Sequence, residues 1–404
     1  MLHRFLLYAG LLAGSAASAQ YKNDNVSYKT VDPADLCATL KKNAGYILID
    51  VRSPAEYADT SSFFSYNLGH FKGATNIPVN ELGKRLGEIN SYKDKPVFIY
   101  CSHSQRSRRA SKMLADSGFT KVFNINGGVT SLHYNDVLDN KCVADLFTTT
   151  NKYTLISAKD LCNKVNKGSA VVIDVRSDSA FRHISRDAKE NALGTIKWSI
   201  NIPLSKLQSE EQAIPWNKEI VLTDLYGDDA VKAAHILDSI GYKQVSVLVE
   251  GMDRLLSSPG INTGCPGNLY VSPVRYSIIP ATAFDAFASR KTAYNIIDIR
   301  SAEEFTNKHK DYWRNIGHIQ GAMNFLLAEL ESKLQGLNRN WETLLYAFGS
   351  GKEVFEAAAL LEKHGFTKIK VLYGGLFNLR WTAGNVKGMS NLKNWVVDVP
   401  EANQ

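Results

Sequence analysis

Short, uninterrupted apolar runs alternate with amphipathic stretches along most of this chain, and the alternation comes in three rounds. Each round opens on a helical pattern: Pro33-Ala34-Asp35-Leu36 onward, Ser157-Ala158-Lys159-Asp160-Leu161 onward, and Pro280-Ala281-Thr282-Ala283-Phe284 onward. Asp32 and Ser157 stand where N-caps belong. A buried strand follows and ends in Asp-(Val/Ile)-Arg. A turn (Asn76-Ile77-Pro78, Asn201-Ile202-Pro203, Asn324-Phe325-Leu326) and a helix lead to a second apolar strand at Val97-Phe98-Ile99-Tyr100, Ile220-Val221-Leu222-Thr223 and Leu344-Leu345-Tyr346-Ala347. An amphipathic helix then runs to Gly118-Phe119, Gly241-Tyr242 or Gly365-Phe366, and a third strand enters a glycine turn at Gly127-Gly128, Gly251 or Gly374-Gly375. Continuously apolar strands need cover on both faces. The pattern therefore predicts α/β domains, each a parallel β-sheet flanked by helices on both faces.

The rounds are copies of one unit. Ile49-Asp50-Val51-Arg52-Ser53 returns as Ile173-Asp174-Val175-Arg176-Ser177 and as Ile297-Asp298-Ile299-Arg300-Ser301, 124 residues apart each time. A constant period of that length predicts three tandem domains, and a 404-residue chain accommodates them. Their expected extents are 28–140, 153–258 and 276–385, with linkers near 140–153 and 258–277. After each Asp-(Val/Ile)-Arg strand comes a loop of 11 or 12 residues, such as that between Tyr57 and Gly69. Loops leaving the carboxyl ends of parallel strands line the ligand crevice. The first copy's loop carries Phe63, Phe64 and Tyr66, either as a plug on its own domain or as a wall over a site.

Composition adds compartment more than fold. A hydrophobic fraction of 44%, a charged fraction of 22% and a net charge of +7 are those of a globular protein. No long basic run is present, so nucleic-acid binding is not expected. Met1-Leu2-His3-Arg4, the apolar Phe5 to Ala13 and the small Ala17-Ser18-Ala19 read as a signal peptide over residues 1–19, cleaved after Ala19. A retained anchor is the alternative. The mature chain is expected to be secreted or periplasmic, without stable membrane insertion. Five cysteines in a disulfide-permissive compartment suggest pairs plus one free thiol. Cys37 and Cys162 occupy matched positions in the opening helices. Cys142 and Cys265 lie near the ends of the same two copies, and the third copy lacks both members. Intradomain disulfides Cys37–Cys142 and Cys162–Cys265 are expected, each worth up to roughly 4–5 kcal/mol for a loop of about 100 residues. Four separate thiols remain the alternative. Cys101 is left over.

Cys101 is also where chemistry is expected. It follows a buried strand and precedes a helix, in Cys101-Ser102-His103-Ser104-Gln105-Arg106-Ser107. Backbone amides and a helix N-terminus converging on one point stabilise an anion. Such surroundings lower thiol pKa values from about 8.5 toward roughly 3.5–7.5. Arg106 adds a fixed charge and a bidentate oxyanion donor. A thiolate so placed attacks electrophilic sulfur and holds the resulting persulfide. The matched positions are Asp224 and Phe348, and neither copy keeps the arginine.

These residues resemble the rhodanese-like domain family of sulfurtransferases. The likeness rests on Asp50-Val51-Arg52-Ser53-Pro54-Ala55-Glu56-Tyr57, Gly69-His70-Phe71-Lys72-Gly73-Ala74-Thr75-Asn76-Ile77-Pro78, Tyr100-Cys101 to Arg106-Ser107, and Asn126-Gly127-Gly128, and covers about residues 28–385 in three copies. It implies Cys101 as catalytic nucleophile and persulfide carrier. Arg106, Ser102, His103, Ser104, Gln105 and Ser107 would line the substrate, and Asp50 and Arg52 would be structural. The C-x4-R spacing resembles sulfurtransferases, whereas related phosphatases and arsenate reductases use C-x5-R. The loop departs from many relatives in lacking glycine, and copy two has lost the Gly-His-x-x-Gly-Ala turn. The expected function is an exported sulfurtransferase. It would move sulfane sulfur from a small sulfur-containing anion such as thiosulfate, or a persulfide donor, to a thiol acceptor or partner protein. A non-catalytic scaffold or a persulfide/redox sensor built from the same domains is the alternative. With no metal-ligand cluster, phosphate loop or nucleotide fingerprint in the sequence, no cofactor or metal is expected.

Overall fold

In a computed structural model the chain is described for residues 26–134, 137–257 and 267–400. The expected signal peptide and Cys265 lie outside the described residues.

Three five-stranded parallel sheets share one topology. In the first, the strand order is Lys29–Val31, Val122–Ile125, Val97–Tyr100, Ile47–Asp50, Thr75–Asn76. The central strands are apolar because both faces are covered: Val97, Phe98, Ile99 and Tyr100 are all fully buried. Parallel register sets Asp50 beside Tyr100 and Thr223 beside Asp174, so equivalent strand ends sit side by side. The edge strand that precedes each opening helix is only three residues long (Lys29–Val31, Thr154–Ile156, Ser277–Ile279), too short for the hydrophobic pattern to reveal.

The Asp-(Val/Ile)-Arg motif ties the carboxyl end of one strand to the loop that leaves it. Arg52 holds the Asp50 carboxylate through Nε and Nη2, and Nη2 also donates to the Gly69 carbonyl at 2.7 Å. Arg176 and Arg300 repeat this on Gly194 and Gly317, each at 2.8 Å. The turn asparagine completes the clasp: Asn76 Nδ2 donates to the carbonyls of Asp50 and Arg52 at 3.0 Å, as Asn201 and Asn324 do in their copies.

Two local expectations need correction. Ser157 caps its helix in a capping box with Asp160. Asp32 makes no side-chain cap bond: the Asp35 amide goes to the Asp32 backbone carbonyl at 2.9 Å, closing a 3-10 turn over Pro33–Asp35 before the helix Leu36–Lys42 begins. The expected linkers are structured where they are described. Residues after the glycine-turn helix return as a short antiparallel strand against their own domain: Phe147–Thr148 on His70–Phe71, Tyr270–Val271 on Thr195–Ile196, and Val396–Val397 on His318–Ile319. Each copy thus extends past the end expected for it. Cys37 and Cys142 are joined across 105 residues. Cys162 is also disulfide-bonded. Cys101 is free and buried.

Domains two and three share one apolar core, in which Leu161, Met252 and Leu255 meet Leu330, Phe355 and Leu361. Domain one joins them by smaller contacts described below.

Candidate functional site

Residues 101–107 form a cradle at the carboxyl end of the strand Val97–Tyr100, leading into the helix Gln105–Asp116. Its carbonyls are drawn away from the centre: the amides of Val129 and Thr130 donate to Cys101 O and Ser102 O at 2.9 and 3.1 Å. This requires very close approach of the glycine turn. A Cβ on Gly128, whose φ is +60°, would stand 2.1 Å from Cys101 O. Ser104 takes the left-handed conformation, φ +73°, that turns the loop into the helix. Its Oγ accepts from the Gly127 amide at 2.5 Å.

Cys101 is only 1% exposed, at the floor of this cradle. Arg106 and Arg108 lie near enough for their charges to act on it, and Ser102 beside it is also buried. Arg106 is less available than expected. Its Nη1 and Nη2 bind the Glu56 carboxylate at 2.6 and 2.7 Å, and Nη2 also reaches Ser102 Oγ at 3.0 Å. Burial works to raise the Glu56 carboxyl, but the Arg106 guanidinium and the Ser53 amide outweigh it and hold it below the usual range. Glu56 lies inside a motif read from the sequence, where its role went unassigned. The hydroxyls of Ser104 and Ser107, expected to line the substrate, turn inward: Ser107 Oγ donates to Asn124 Oδ1 at 2.7 Å and Ser104 Oγ to the Ile125 carbonyl at 3.3 Å. Gln105 is exposed at the first turn of the helix.

Two residues beyond the sequence reading complete the rim. Tyr66 brings its ring edge to His103, centroids 6.1 Å apart. Glu250, from domain two, binds His103 Nε2, which also lies 3.3 Å from Thr130 Oγ1. The aromatic loop is neither a plug on its own domain nor simply a wall. Phe64 packs against His235 of domain two, Ser65 N donates to Asp228 Oδ1 at 3.0 Å, and Tyr66 turns to the site.

The matched cradles differ in what fills them. In domain two the Asp224 carboxylate takes the centre and accepts from the amides of Gly227, Asp229 and Ala230, the last two at 2.7 and 3.3 Å. Burial pushes its pKa up to about 6, with those amides pulling the other way. In domain three Phe348 fills the place, edge-on to Trp313 and stacked on Phe377. Asp229 and Glu353 occupy the position of Arg106.

Fold and cradle together define an α/β domain built to hold an anion or a thiolate at one strand end. The rhodanese-like domain family matches at residues 33–134, 157–257 and 283–380, and the chain belongs to that family. It is 43% identical over 81 residues to the uncharacterized protein YqhL of Bacillus subtilis, covering 20% of this chain and 56% of that one. It is 31% identical over 110 residues to the tRNA uridine(34) hydroxylase of Cronobacter sakazakii, covering 26% of this chain and 31% of the relative. The chain thus spans about half or less of these curated relatives. Among solved structures, a rhodanese with anions from E. coli is 31% identical over 20% of this chain and 87% of its own, with a TM-score of 0.18. The thiosulfate sulfurtransferase from Pseudomonas aeruginosa is 15% identical over 86% of this chain and 66% of its own, with a TM-score of 0.23.

Proposed function

We propose that this chain is a sulfurtransferase with one working site, in which Cys101 carries sulfane sulfur as a persulfide. The observation that carries the reading is the contrast between two copies of one cradle. In domain two three amides hold a built-in carboxylate. At the matching positions in domain one, Ser104, Arg106 and Ser107 follow a free, buried cysteine instead. They would receive the anionic end of a donor such as thiosulfate, with Arg106 sharing its charge between Glu56 and the bound group. The acceptor would be a thiol or a partner protein. Asp224 and Phe348 offer no sulfur nucleophile, so domains two and three carry no sulfur.

Export belongs to the same reading. The apolar N-terminal segment and the Cys37–Cys142 disulfide both suit an oxidising compartment, secreted or periplasmic. No helix among the described residues is long and apolar enough to cross a membrane.

Intact mass after incubation with thiosulfate or a low-molecular-weight persulfide tests the reading. One added sulfur, mapped to Cys101 and absent from Cys101→Ser, is the expected result. No adduct with any donor, or an equal adduct on the serine variant, would overturn it.

A further inference from the structure

Domain two reaches into the working site through a residue that breaks a rule of its own backbone. Glu250 occupies the place of Gly127 and Gly374, the first residue of the glycine turn. All three have positive φ, +68° and +77° in the glycines and +53° in Glu250. A side chain in this conformation costs of order 1 kcal/mol or more, and such strain persists where the surroundings hold it, often at functional sites. Here the side chain crosses the domain boundary to His103 Nε2. His103 Nδ1 makes no hydrogen bond among the described residues, and the His103 side chain is 40% exposed.

We infer that Glu250 is a positioning residue of the domain-one site, holding His103 so that its Nδ1 accepts the proton of an incoming thiol. The inference rests on the sulfur-transfer reading above. With Nε2–H directed at the carboxylate, the lone pair falls on Nδ1. The acceptor's S–H proton passes to Nδ1 and its sulfur attacks the outer sulfur of the Cys101 persulfide. The bond between that sulfur and Cys101 Sγ breaks, its electron pair returning to Sγ as thiolate. The acceptor leaves as a persulfide, and no external oxidant or reductant takes part. Glu250 stabilises the imidazolium formed. The other groups facing this pair are Tyr66 and Thr130 from domain one and Arg254; burial works to raise the Glu250 carboxyl, and the His103 hydrogen bond and charge, with a smaller contribution from Arg254, hold it below its ordinary range. The charges of Arg106, Glu56 and Asp228 act on Tyr66 beside this pair.

The test separates the two half-reactions in the full-length chain. Glu250→Gln keeps the side-chain shape. Persulfide loading of Cys101 from thiosulfate is expected to stay within about twofold. Transfer to dithiothreitol is expected to fall roughly tenfold or more, a part of the roughly 10²–10⁴-fold that a positioned general base contributes. Transfer to sulfite at alkaline pH, which brings no proton to remove, is expected to stay near the parent rate. In a His103→Ala background the Glu250 substitution should add nothing further. Equal losses with thiol and sulfite, or a further loss from Glu250→Gln in the His103→Ala background, would overturn the inference and leave Glu250 as a domain tether. Failure of Cys101 to load at all would instead overturn the sulfur-transfer reading.

Discussion

Asp224 is a carboxylate standing where a substrate anion would stand, and its two opposing environments make a pH prediction. Burial favours the neutral acid, while three amides favour the anion, and burial wins: the folded-state pKa is about 6 against an ordinary 3.8. A folded pKa above the unfolded one means stability present below about pH 3.8 and lost as pH rises through about 6. Asn at this position does not titrate. The stability of the parent minus that of Asp224→Asn should therefore fall by roughly 2 kcal/mol between pH 4 and pH 7, measured by urea unfolding at each pH. A difference independent of pH would mean that the amides fully offset burial. The replacement of cysteine by aspartate was legible in the sequence. That the carboxylate is itself held as the cradle's anion was not, because three-dimensional convergence of amides from residues three to six positions on leaves no compositional mark. Glu56 and Glu250 escaped the sequence for the same reason. Their partners, Arg106 and His103, stand 50 and 147 residues away.

At the scale of the element, strands and helices were legible because parallel sheets buried on both faces write themselves as unbroken apolar runs. The repeated Asp-(Val/Ile)-Arg and its asparagine clasp gave the sheet's carboxyl edge. The two-residue tail strands were hidden, since a pair of residues carries no period. The cradle depends on two elements meeting at near-contact, and this yields a sharp expectation. Gly128→Ala places a methyl 2.1 Å from the Cys101 carbonyl, against backbone that has no room to move aside. Loss of the Val129 and Thr130 bonds to the cradle should follow, together with loss of persulfide at Cys101 by intact mass. Gly118→Ala is the control: at φ +87° it is strained too, but its added carbon meets no atom within 4 Å, so it should lower stability while leaving sulfur loading intact.

Across the whole molecule, the repeats are unequal in attachment as well as in chemistry. Domains two and three share a continuous apolar core, and Tyr373 Oη donates to Asp253 across their boundary at 2.6 Å. Domain one meets them through Phe64, the Ser65–Asp228 and His103–Glu250 contacts, the Arg254 guanidinium 3.5 Å from the Tyr134 ring, the Asn126 amide on the Asn385 carbonyl, and the Lys387–Asp35 ion pair at 3.1 Å. Apolar burial drives cooperative unfolding far more than exposed ion pairs do. Two calorimetric transitions are therefore expected, one for domain one and one for domains two and three together. The Cys37–Cys142 bond closes a loop wholly inside the first unit. Replacing both cysteines by alanine should lower only that unit's stability, by up to roughly 4–5 kcal/mol on the chain-entropy account. Amide exchange would then accelerate along Val97–Tyr100 and stay unchanged along Glu219–Thr223. A single transition that shifts as a whole would mean that the polar contacts around His103 and Glu250 couple all three domains, and the Cys101 cradle would then share its stability with the other two copies.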